Sequence, residues 1–453
     1  MTGEVAERKP RRWRWESLTG GTVLLQEERF RQFWLGRVFS HTAINAVLFT
    51  LLVEAVGKGD AGSSIKSALF ITAYLLPTAT LGTVSGVLVD RLPKNLVLTV
   101  VNIARVGLMA VLLLADSNLV IIYGIALLMA TASQFASPAE GSALPQLVRT
   151  EQLTAANSVN TIAGLVSQVV GFAVLPPIFL NTFGPKPLFF VAGVLFAMGA
   201  TAFLRIGRLG VRQIDVDSTF GAVREVRKQF AEAWDMLSRD LTAYMSVIIF
   251  VLSSTASLVA VTLMPRFAQD TLGVSVQNAI FVFLPAALGI FAGLRLVQWL
   301  EHRAPKAWLV GVGFGLLAAS FIGLALTRPL GSTLEGMNPL GLFSPGPFGD
   351  TTARIVVAVF FSTAAAFSIS VVGVAARALV HERMPVEFQG RIFAAQLVLT
   401  NLASIPPILF AGVLTALVGV EPVMVLFMVV LVGVAGWTAA RAAARPRASP
   451  DVA

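Results

Sequence analysis

The sequence contains no cysteine, and its 453 residues include only three histidines: His41, His302 and His381. Without cysteine, a disulfide framework, a thiol nucleophile and a cysteine-ligated metal are all excluded. The histidines are too scattered to form a zinc motif. No Gly-x-x-x-x-Gly-Lys-Ser/Thr loop occurs, which argues against ATP-driven transport. We therefore expect no catalytic residue, no metal and no cofactor.

Charged residues are also scarce, at 13% of the chain, against roughly 25% in a typical soluble domain. Hydrophobic residues make up 56%, and the mean hydropathy is +0.78. A water-soluble fold could not bury that much apolar surface. The charges cluster and leave windows of about 20 residues, long enough for a helix to cross a hydrocarbon core of about 30 Å. The sequence therefore predicts an all-α integral membrane protein.

The apolar windows predict about twelve transmembrane helices. They fall at residues 33–56, 67–89, 95–115, 118–143, 154–180, 187–206, 241–264, 274–299, 307–327, 353–381, 390–416 and 421–440. An even number of helices places both termini on one side. The alternating loops place all but six of the 34 Lys and Arg residues on that side, which the positive-inside rule identifies as cytoplasmic. We predict a multi-pass protein of the bacterial cytoplasmic (inner) membrane with both termini cytoplasmic.

A charged stretch separates the first six windows from the last six. The predicted organisation is a basic cytoplasmic tail at 1–30, a six-helix bundle at 31–206, a cytoplasmic linker at 207–240, a second six-helix bundle at 241–440 and a tail at 441–453. Within the linker, residues 220–237 have the pattern of an amphipathic helix lying on the membrane, or of a plain tether. The net charge of +9 reflects topology and contact with anionic lipid, so we expect a lipid bilayer, and no nucleic acid, as partner.

The two halves of the chain repeat each other. Windows two and eight both contain Leu-Pro, then Leu-Gly, then a second glycine four residues later, and both end near Pro-Lys. The repeated glycines are Gly82 and Gly86 in window two, and Gly289 and Gly293 in window eight. Because equivalent windows keep the same orientation, the sequence predicts a parallel repeat of two six-helix bundles about an axis along the membrane normal.

The stretch Gly86-Val-Leu-Val-Asp90-Arg91-Leu-Pro-Lys94 resembles the loop between helices two and three of the major facilitator superfamily, Gly-x-x-x-Asp-Arg-x-Gly-Arg-Arg/Lys. Other stretches, among them Ser137-Pro-Ala139 and Gln389-Gly-Arg391, resemble the branch with the enterobactin exporter and macrolide efflux pumps. The resemblance implies the major facilitator fold and transport by alternating access. The chain departs from related pumps in having Ala43-Ile44 where a glycine-aspartate pair is common.

The loop motif predicts a gate. Gly82 and Gly86 would let their helix approach a neighbour closely. Asp90 would accept hydrogen bonds at a helix N-terminus of the other half, or pair with an arginine, and this latch would favour the outward-facing state. Arg91 and Lys94 are cytoplasmic cations that either mark the topology or take part in gating.

Four ionisable residues inside the predicted helices are candidates for proton coupling, since charges there are costly and face a cavity or a partner. His41 can gain or lose a proton near neutral pH, or it is a neutral histidine hydrogen-bonded within the packing. Arg105 and Glu140 could pair through the bundle, as a static clamp or a proton site. Glu54 is near the outer end of the first helix, where it is solvated or assists proton entry.

Ten polar, charged and aromatic residues are candidates for lining a substrate cavity. They are Asn45, Phe49, Gln134, Asn160, Gln168, Phe250, Phe367, Arg377, Gln396 and Asn401. Asn45 is four residues from His41 and shares its helix face. Arg377, like Arg295, is expected to snorkel to lipid or to contact an anionic part of a substrate.

These features predict a secondary active transporter that exports a small amphipathic molecule, such as a drug or a siderophore, with the proton gradient as driving force and a monomer as the working unit. A lysophospholipid transporter is an alternative within this class. A membrane receptor or scaffold that moves nothing is an alternative of another class. The loop at 328–350, rich in glycine and proline, is expected to be a flexible external connection, or a lid or lipid contact.

Overall fold

The computed structural model describes residues 24–57, 62–115, 118–210, 232, 234–300, 303–337 and 352–443. The described residues contain twelve helical spans that are long and apolar enough to cross a membrane, and they contain no strand. The predicted all-α membrane fold is therefore confirmed. Residues 1–23 and 444–453 of the predicted tails, 211–231 and 233 of the linker, and 338–351 of the external loop lie outside the described residues.

The first half contains spans one to six. Spans one to four are single helices over Glu28–Val56, Ser63–Asp90, Lys94–Leu114 and Leu119–Leu147. Span five joins the helix Leu153–Gln168, the π-helix Val169–Val174 and the helix Leu175–Thr182, after a 3₁₀ turn at Thr150–Gln152. Span six is Pro185–Arg205.

The second half contains spans seven to twelve. Span seven is Leu241–Arg266 followed by the π-helix Phe267–Thr271, and span eight is Val276–Asn278 (3₁₀), Ala279–Phe283 and Ala286–Leu300. Spans nine to twelve are Lys306–Ala325, Thr352–Arg383, Val386–Val418 and Val420–Ala443.

Span eight was predicted as one continuous helix, but the structure divides it at Leu284 and Pro285. Proline lacks the backbone N–H that a helix interior needs and clashes with the preceding turn, which accounts for the break. Pro77 occupies the equivalent place in span two, yet that helix continues through it.

The predicted external loop is partly helical. A helix over Thr327–Gly336 follows span nine, with Pro329 in its first turn, where the missing N–H is tolerated. Arg328 fixes its start by pairing with Glu421 (Nε–Oε1 3.1 Å) and by donating to the Asp270 carbonyl oxygen (2.6 Å). The expectation of a wholly flexible connection is therefore wrong for this segment.

The packing of the spans repeats in the two halves. In the first half, span one packs on five and six, span two on four, and span three on four and six. In the second half, span seven packs on eleven and twelve, span eight on ten, and span nine on ten and twelve. The parallel repeat expected from the glycine motifs is thus reproduced in the helix neighbours.

The bundle has two ends, which we call the linker face and the opposite face. The linker face holds the beginnings of the odd-numbered spans and the ends of the even-numbered spans, and the opposite face holds the remaining helix ends. The largest apolar cluster combines both halves, for example Leu51 and Phe70 with Leu263 and Ile408, and its members all lie toward the opposite face. Toward the linker face, the clusters around Phe203 and around Val380 each belong to one half. Apolar packing between the halves is therefore concentrated at the opposite face.

Candidate functional site

A charged cluster lies inside the first half, between spans one and four. The Nε2 atom of His41 is 3.1 Å from both carboxylate oxygens of Glu140. The Nε atom of Arg37, one turn earlier on span one, is 3.4 Å from the Glu140 carboxylate. The Glu140 side chain is only 12% exposed, so its charge depends on these partners rather than on solvent. Two predicted coupling residues are therefore in direct contact.

The predicted direct pair between Arg105 and Glu140 is not the contact that the structure shows. Arg105 is buried, and its NH2 group donates to the Ser133 hydroxyl at 2.9 Å. Its guanidinium also lies 5.5 Å from the centre of the Phe196 ring. Ser133 and Glu140 both lie on span four, about two helical turns apart, so Arg105 contacts this span at a different turn from Glu140. Arg105 still interacts electrostatically with Glu140 and, with Arg37, is a second permanent cation near this carboxylate.

Close packing against neighbouring spans fixes the position of the span-one segment that carries His41. The Ser40 hydroxyl donates to Asn102 Oδ1 at 2.5 Å, which joins span one to span three. A side chain at Gly199 on span six would collide with Ser40 Oγ, since a Cβ placed there would be 2.8 Å away. Span five approaches from another side, where a Cβ at Gly171 would lie 2.7 Å from the Thr42 carbonyl oxygen. His41 therefore meets Glu140 on a segment of span one held by three neighbouring spans.

Two residues predicted to share a cavity with His41 are packed against span five. The Cβ atom of Asn45 faces Gly171, and the Asn45 side chain is only partly exposed. Phe49 is buried and meets Phe172 edge to face, with ring centres 6.2 Å apart. Phe49 therefore lines no open cavity in this conformation. Glu54, near the opposite-face end of the same span, is partly buried.

The other polar candidates of the first half have different environments. Gln134 Nε2 donates to the Thr78 hydroxyl at 2.7 Å and so joins span four to span two. Asn160 is buried, with no hydrogen-bond partner for either side-chain atom. Gln168, directly before the π-helix of span five, is exposed.

In the second half, Gln396 and Asn401 are buried on span eleven. Beside them, Thr255 of span seven and Ser404 of span eleven are hydrogen-bonded at 2.7 Å between their hydroxyl oxygens. The Asn401 amide nitrogen has no hydrogen-bond partner. These two amides lie within the packing of the bundle.

Two further candidates of the second half form a cation-aromatic pair, with Arg377 exposed and Phe250 partly buried. The Arg377 guanidinium carbon is 5.6 Å from the centre of the Phe250 ring, which links span ten to span seven. Phe367, three turns earlier on span ten, has its backbone against Gly289 and Gly293 of span eight. The structure therefore brings Phe250 and Arg377 together, while Phe367 marks a tight helix contact.

Within the loop motif, the Lys94 side chain has a different environment from the one predicted. This side chain is buried, and its Nζ atom donates to the carbonyl oxygens of Val89, Asp90 and Leu92 at 2.8–3.1 Å. It therefore caps the end of span two, where helix carbonyls otherwise lack partners. Asp90 is partly exposed and Arg91 is exposed.

The glycines of the motif are also less enclosed than predicted. A Cβ placed on Gly86 would have no neighbour within 4 Å, and one on Gly82 would meet only the Gln134 side chain at 3.6 Å. The close approach expected at Gly82 and Gly86 is therefore absent from this conformation.

A polar contact that was not predicted joins the halves at the opposite face. Asn181 Nδ2 donates to Asn278 Oδ1 at 2.9 Å, and Gln277 Nε2 donates to Asn181 Oδ1 at 3.0 Å. These residues stand where span five ends and span eight begins. Single amides beside turns carry no sequence pattern that would have revealed this pairing. Arg37 was also missed, although its spacing of four from His41 places both on one helix face.

Among the described residues, no three His, Cys, Asp or Glu side chains gather into a group that could hold a metal. The chemistry available at the charged cluster is therefore proton exchange and ion pairing by its own side chains.

The chain is similar to known proteins over most of its length. Residues 33–407 match the family model described as Major Facilitator Superfamily. The uncharacterized MFS-type transporter YfiS of Bacillus subtilis (strain 168) is 23% identical over 369 residues, which cover 79% of this chain and 80% of that protein.

Solved structures share the fold. A mutant of the nucleoside transporter NupG gives a TM-score of 0.68 at 13% identity, over 92% of this chain and 99% of that one. A POT family transporter in complex with 5-aminolevulinic acid gives 0.66 at 11% identity, over 91% of this chain and 96% of that one.

Proposed function

Because the chain belongs to the major facilitator superfamily, and is therefore a multi-pass transporter rather than an enzyme, we propose that it exports a small amphipathic molecule by proton-coupled alternating access. The proposed location is the cytoplasmic membrane of a bacterium. The distribution of Lys and Arg favours an orientation with the linker face in the cytoplasm. The stretches resembling the enterobactin exporter and macrolide efflux pumps favour a drug or siderophore as cargo.

The distribution of contacts between the halves supports alternating access. Spans five and eight meet through their opposite-face ends, the segments 175–182 and 276–278, and the shared apolar cluster lies on the same side. With the linker face cytoplasmic, this arrangement is open inward and closed outward. Opening outward then requires the Asn181 contacts to break and the linker-face ends to approach.

One observation carries the proton coupling: His41 and Glu140 are in contact inside the membrane, with Arg37 and Arg105 beside them. A carboxylate shared by two permanent cations and a histidine can pass a proton without leaving an isolated charge in hydrocarbon. The cluster also lies between spans one and four, on a segment that packs on span five, one of the spans that meets the other half.

The test uses the full chain reconstituted in proteoliposomes under an imposed pH gradient. Flux of lipophilic cations, macrolides and labelled lysophospholipid is followed together with internal pH. In Glu140→Gln and His41→Ala, gradient-driven flux and cargo-induced proton movement should be lost, while exchange of labelled for unlabelled cargo without a gradient persists. Glu151→Gln is the matched control, since this exposed carboxylate lies in the same half but outside the spans and the cluster.

Each outcome distinguishes between the proposed function and one of its alternatives. Gradient-driven flux that survives Glu140→Gln would remove the cluster from the coupling mechanism. Movement of lysophospholipid alone, without any dependence on the gradient, would replace drug export with lipid transport. An absence of flux for every compound would favour a receptor.

A further inference from the structure

We propose that the transported molecule carries an acidic group, such as a carboxylate, phosphate or sulfonate, and that Arg377, held over Phe250, binds it. This inference rests on the proposed transport function and narrows its class of cargo to anionic amphiphiles.

The Arg377 side chain reaches into the bundle, away from the membrane surface. Its Cα lies six residues before the end of span ten at Arg383, or about 9 Å along the helix axis. Helical side chains lean toward the N-terminus, which for span ten is at the opposite face. The guanidinium lies over Phe250, and the same ring is 3.7 Å from the Cβ position of Gly373, one turn deeper than Arg377. The expected snorkelling to the linker-face lipid is therefore wrong for this residue.

Arg377 also lies on the side of span ten that turns away from the periphery. Ser368, Val371 and Val372 pack around Gly313 of span nine. Gly373 and Arg377 face span seven, on the far side of the helix from that contact. Arg377 is nevertheless exposed. An exposed side chain between spans seven and ten, pointing away from span nine, lies on the wall of the opening between the two halves.

Among the described contacts, no anion pairs with Arg377. Within the described part of the second half, carboxylate residues stand only at or beyond the span ends, at Asp240, Asp270, Glu335, Glu382, Glu387 and Glu421. The contact that the structure gives Arg377 is the Phe250 ring, which leaves the guanidinium N–H donors available to a ligand. An unbalanced cation at this depth is costly, and a bound anion would remove that cost.

The surroundings suit an amphiphile better than an inorganic anion. Phe250 presents an aromatic ring beside Gly373, which adds no side chain of its own next to it. A planar guanidinium binds carboxylate, phosphate or sulfonate oxygens through paired hydrogen bonds, while the ring contacts an apolar body.

The experiment compares two probes that share an aromatic body. Anilinonaphthalene sulfonate carries an anionic group, and N-phenylnaphthylamine is its neutral counterpart. Uptake into proteoliposomes holding the full chain is measured against protein-free vesicles for wild type, Arg377→Gln, Arg377→Lys and Arg303→Gln. Arg303 is the matched control, since it stacks on the exposed Trp299 at 4.3 Å but lies outside the spans. Lysophosphatidylglycerol and inorganic phosphate serve as competitors.

Arg377→Gln should raise the half-saturating concentration of the sulfonate about tenfold or more, since a hydrogen bond to a charged group is lost. Arg377→Lys should recover part of this loss, and neutral uptake and the Arg303→Gln variant should be unchanged. Competition by lysophosphatidylglycerol would identify a lipid head group as a source of the anion, and competition by phosphate alone would show that the head group suffices. Both support the site.

Equal loss of sulfonate and neutral uptake in Arg377→Gln would make the residue structural and overturn the inference. Neutral uptake in the wild type with no sulfonate uptake would also overturn it, while leaving transport intact. If wild type moves neither these probes nor any compound of the flux test, the proposed function itself fails.

Discussion

The interiors of the two halves handle charge in opposite ways. In the first half, Glu140 is surrounded by His41, Arg37 and Arg105, so each charge has a partner. In the second half, Arg377 has the Phe250 ring for a neighbour, and the described spans around it carry carboxylates only at their ends. The halves repeat one helix arrangement, but they differ in how their interior charges are balanced.

A balanced cluster and an unbalanced cation respond to different ligands. Protonation of Glu140 would change the net charge of its cluster and weaken its ion pairs, which is how a proton can alter the packing of spans one and four. Arg377 gains most from a ligand that brings a negative charge. We infer that the first half serves the proton and the second half serves the cargo.

The largest expected contrast is in stability after loss of a cation. Arg105→Leu removes a buried partner of Glu140 and of Ser133, and should destabilise the protein by about 3–5 kcal/mol. Arg377→Leu removes an exposed, unbalanced charge and should change stability by less than about 1 kcal/mol. Thermal unfolding in detergent measures both. Equal destabilisation by the two substitutions would contradict the contrast between the interiors.

A second contrast concerns the repeated glycines. A Cβ on Gly289 would lie 2.2 Å from the Thr363 carbonyl oxygen, whereas one on Gly86 would meet nothing within 4 Å. Gly289→Ala should therefore cost about 1–3 kcal/mol through overpacking. Gly86→Ala should leave stability unchanged or raise it by up to about 1 kcal/mol through helix propensity.

The same thermal unfolding measurement checks the glycine pair. If Gly86→Ala were as harmful as Gly289→Ala, Gly86 would have a close neighbour that this conformation does not show. Transport by Gly86→Ala adds a second measurement, since a close approach made only in the outward-facing state would lower flux without lowering stability.

The spans could be predicted from sequence because the membrane constrains them by length and composition alone. A run of about 20 apolar residues has few other uses, and the break at Pro285 is the one place where a predicted window was divided. The repeat was visible because glycine spacing is a local pattern. The helix over Thr327–Gly336 was missed since its start depends on Arg328 reaching Asp270 and Glu421 on other spans.

The candidate site was only partly predictable, because it depends on which helices are neighbours. Ionisable residues inside spans marked His41 and Glu140 individually, but the sequence paired Glu140 directly with Arg105. Lys94 was predicted to be a cytoplasmic cation that marks the topology or takes part in gating, although its flexible side chain can fold back on three carbonyl oxygens of the preceding turn. No local pattern reports such a choice of partner.

A smaller effect is expected where the halves meet. Asn181→Ala removes two hydrogen bonds between span five and span eight, each contributing roughly 0.5–1.5 kcal/mol. The population open at the opposite face should rise about tenfold. Because the chain has no cysteine, spin labels at Phe183→Cys and Ser275→Cys, both exposed positions, can report the distance between the halves. An unchanged distance distribution would show that these amides do not hold the gate closed.

The smallest expected effect is at the rim of the second half, where charges are paired as in the first half. Burial alone would raise the pKa of Asp240, but hydrogen bonds from the Ala243 backbone and Arg383 outweigh it and lower the pKa. Asp240 should therefore stabilise the fold above its unfolded pKa of about 3.9, by at most about 1 kcal/mol, and less as pH falls through its lower folded pKa. Unfolding of Asp240→Asn and wild type should differ at pH near 7 and converge in acid. A difference that persists in acid would assign the effect to helix capping alone.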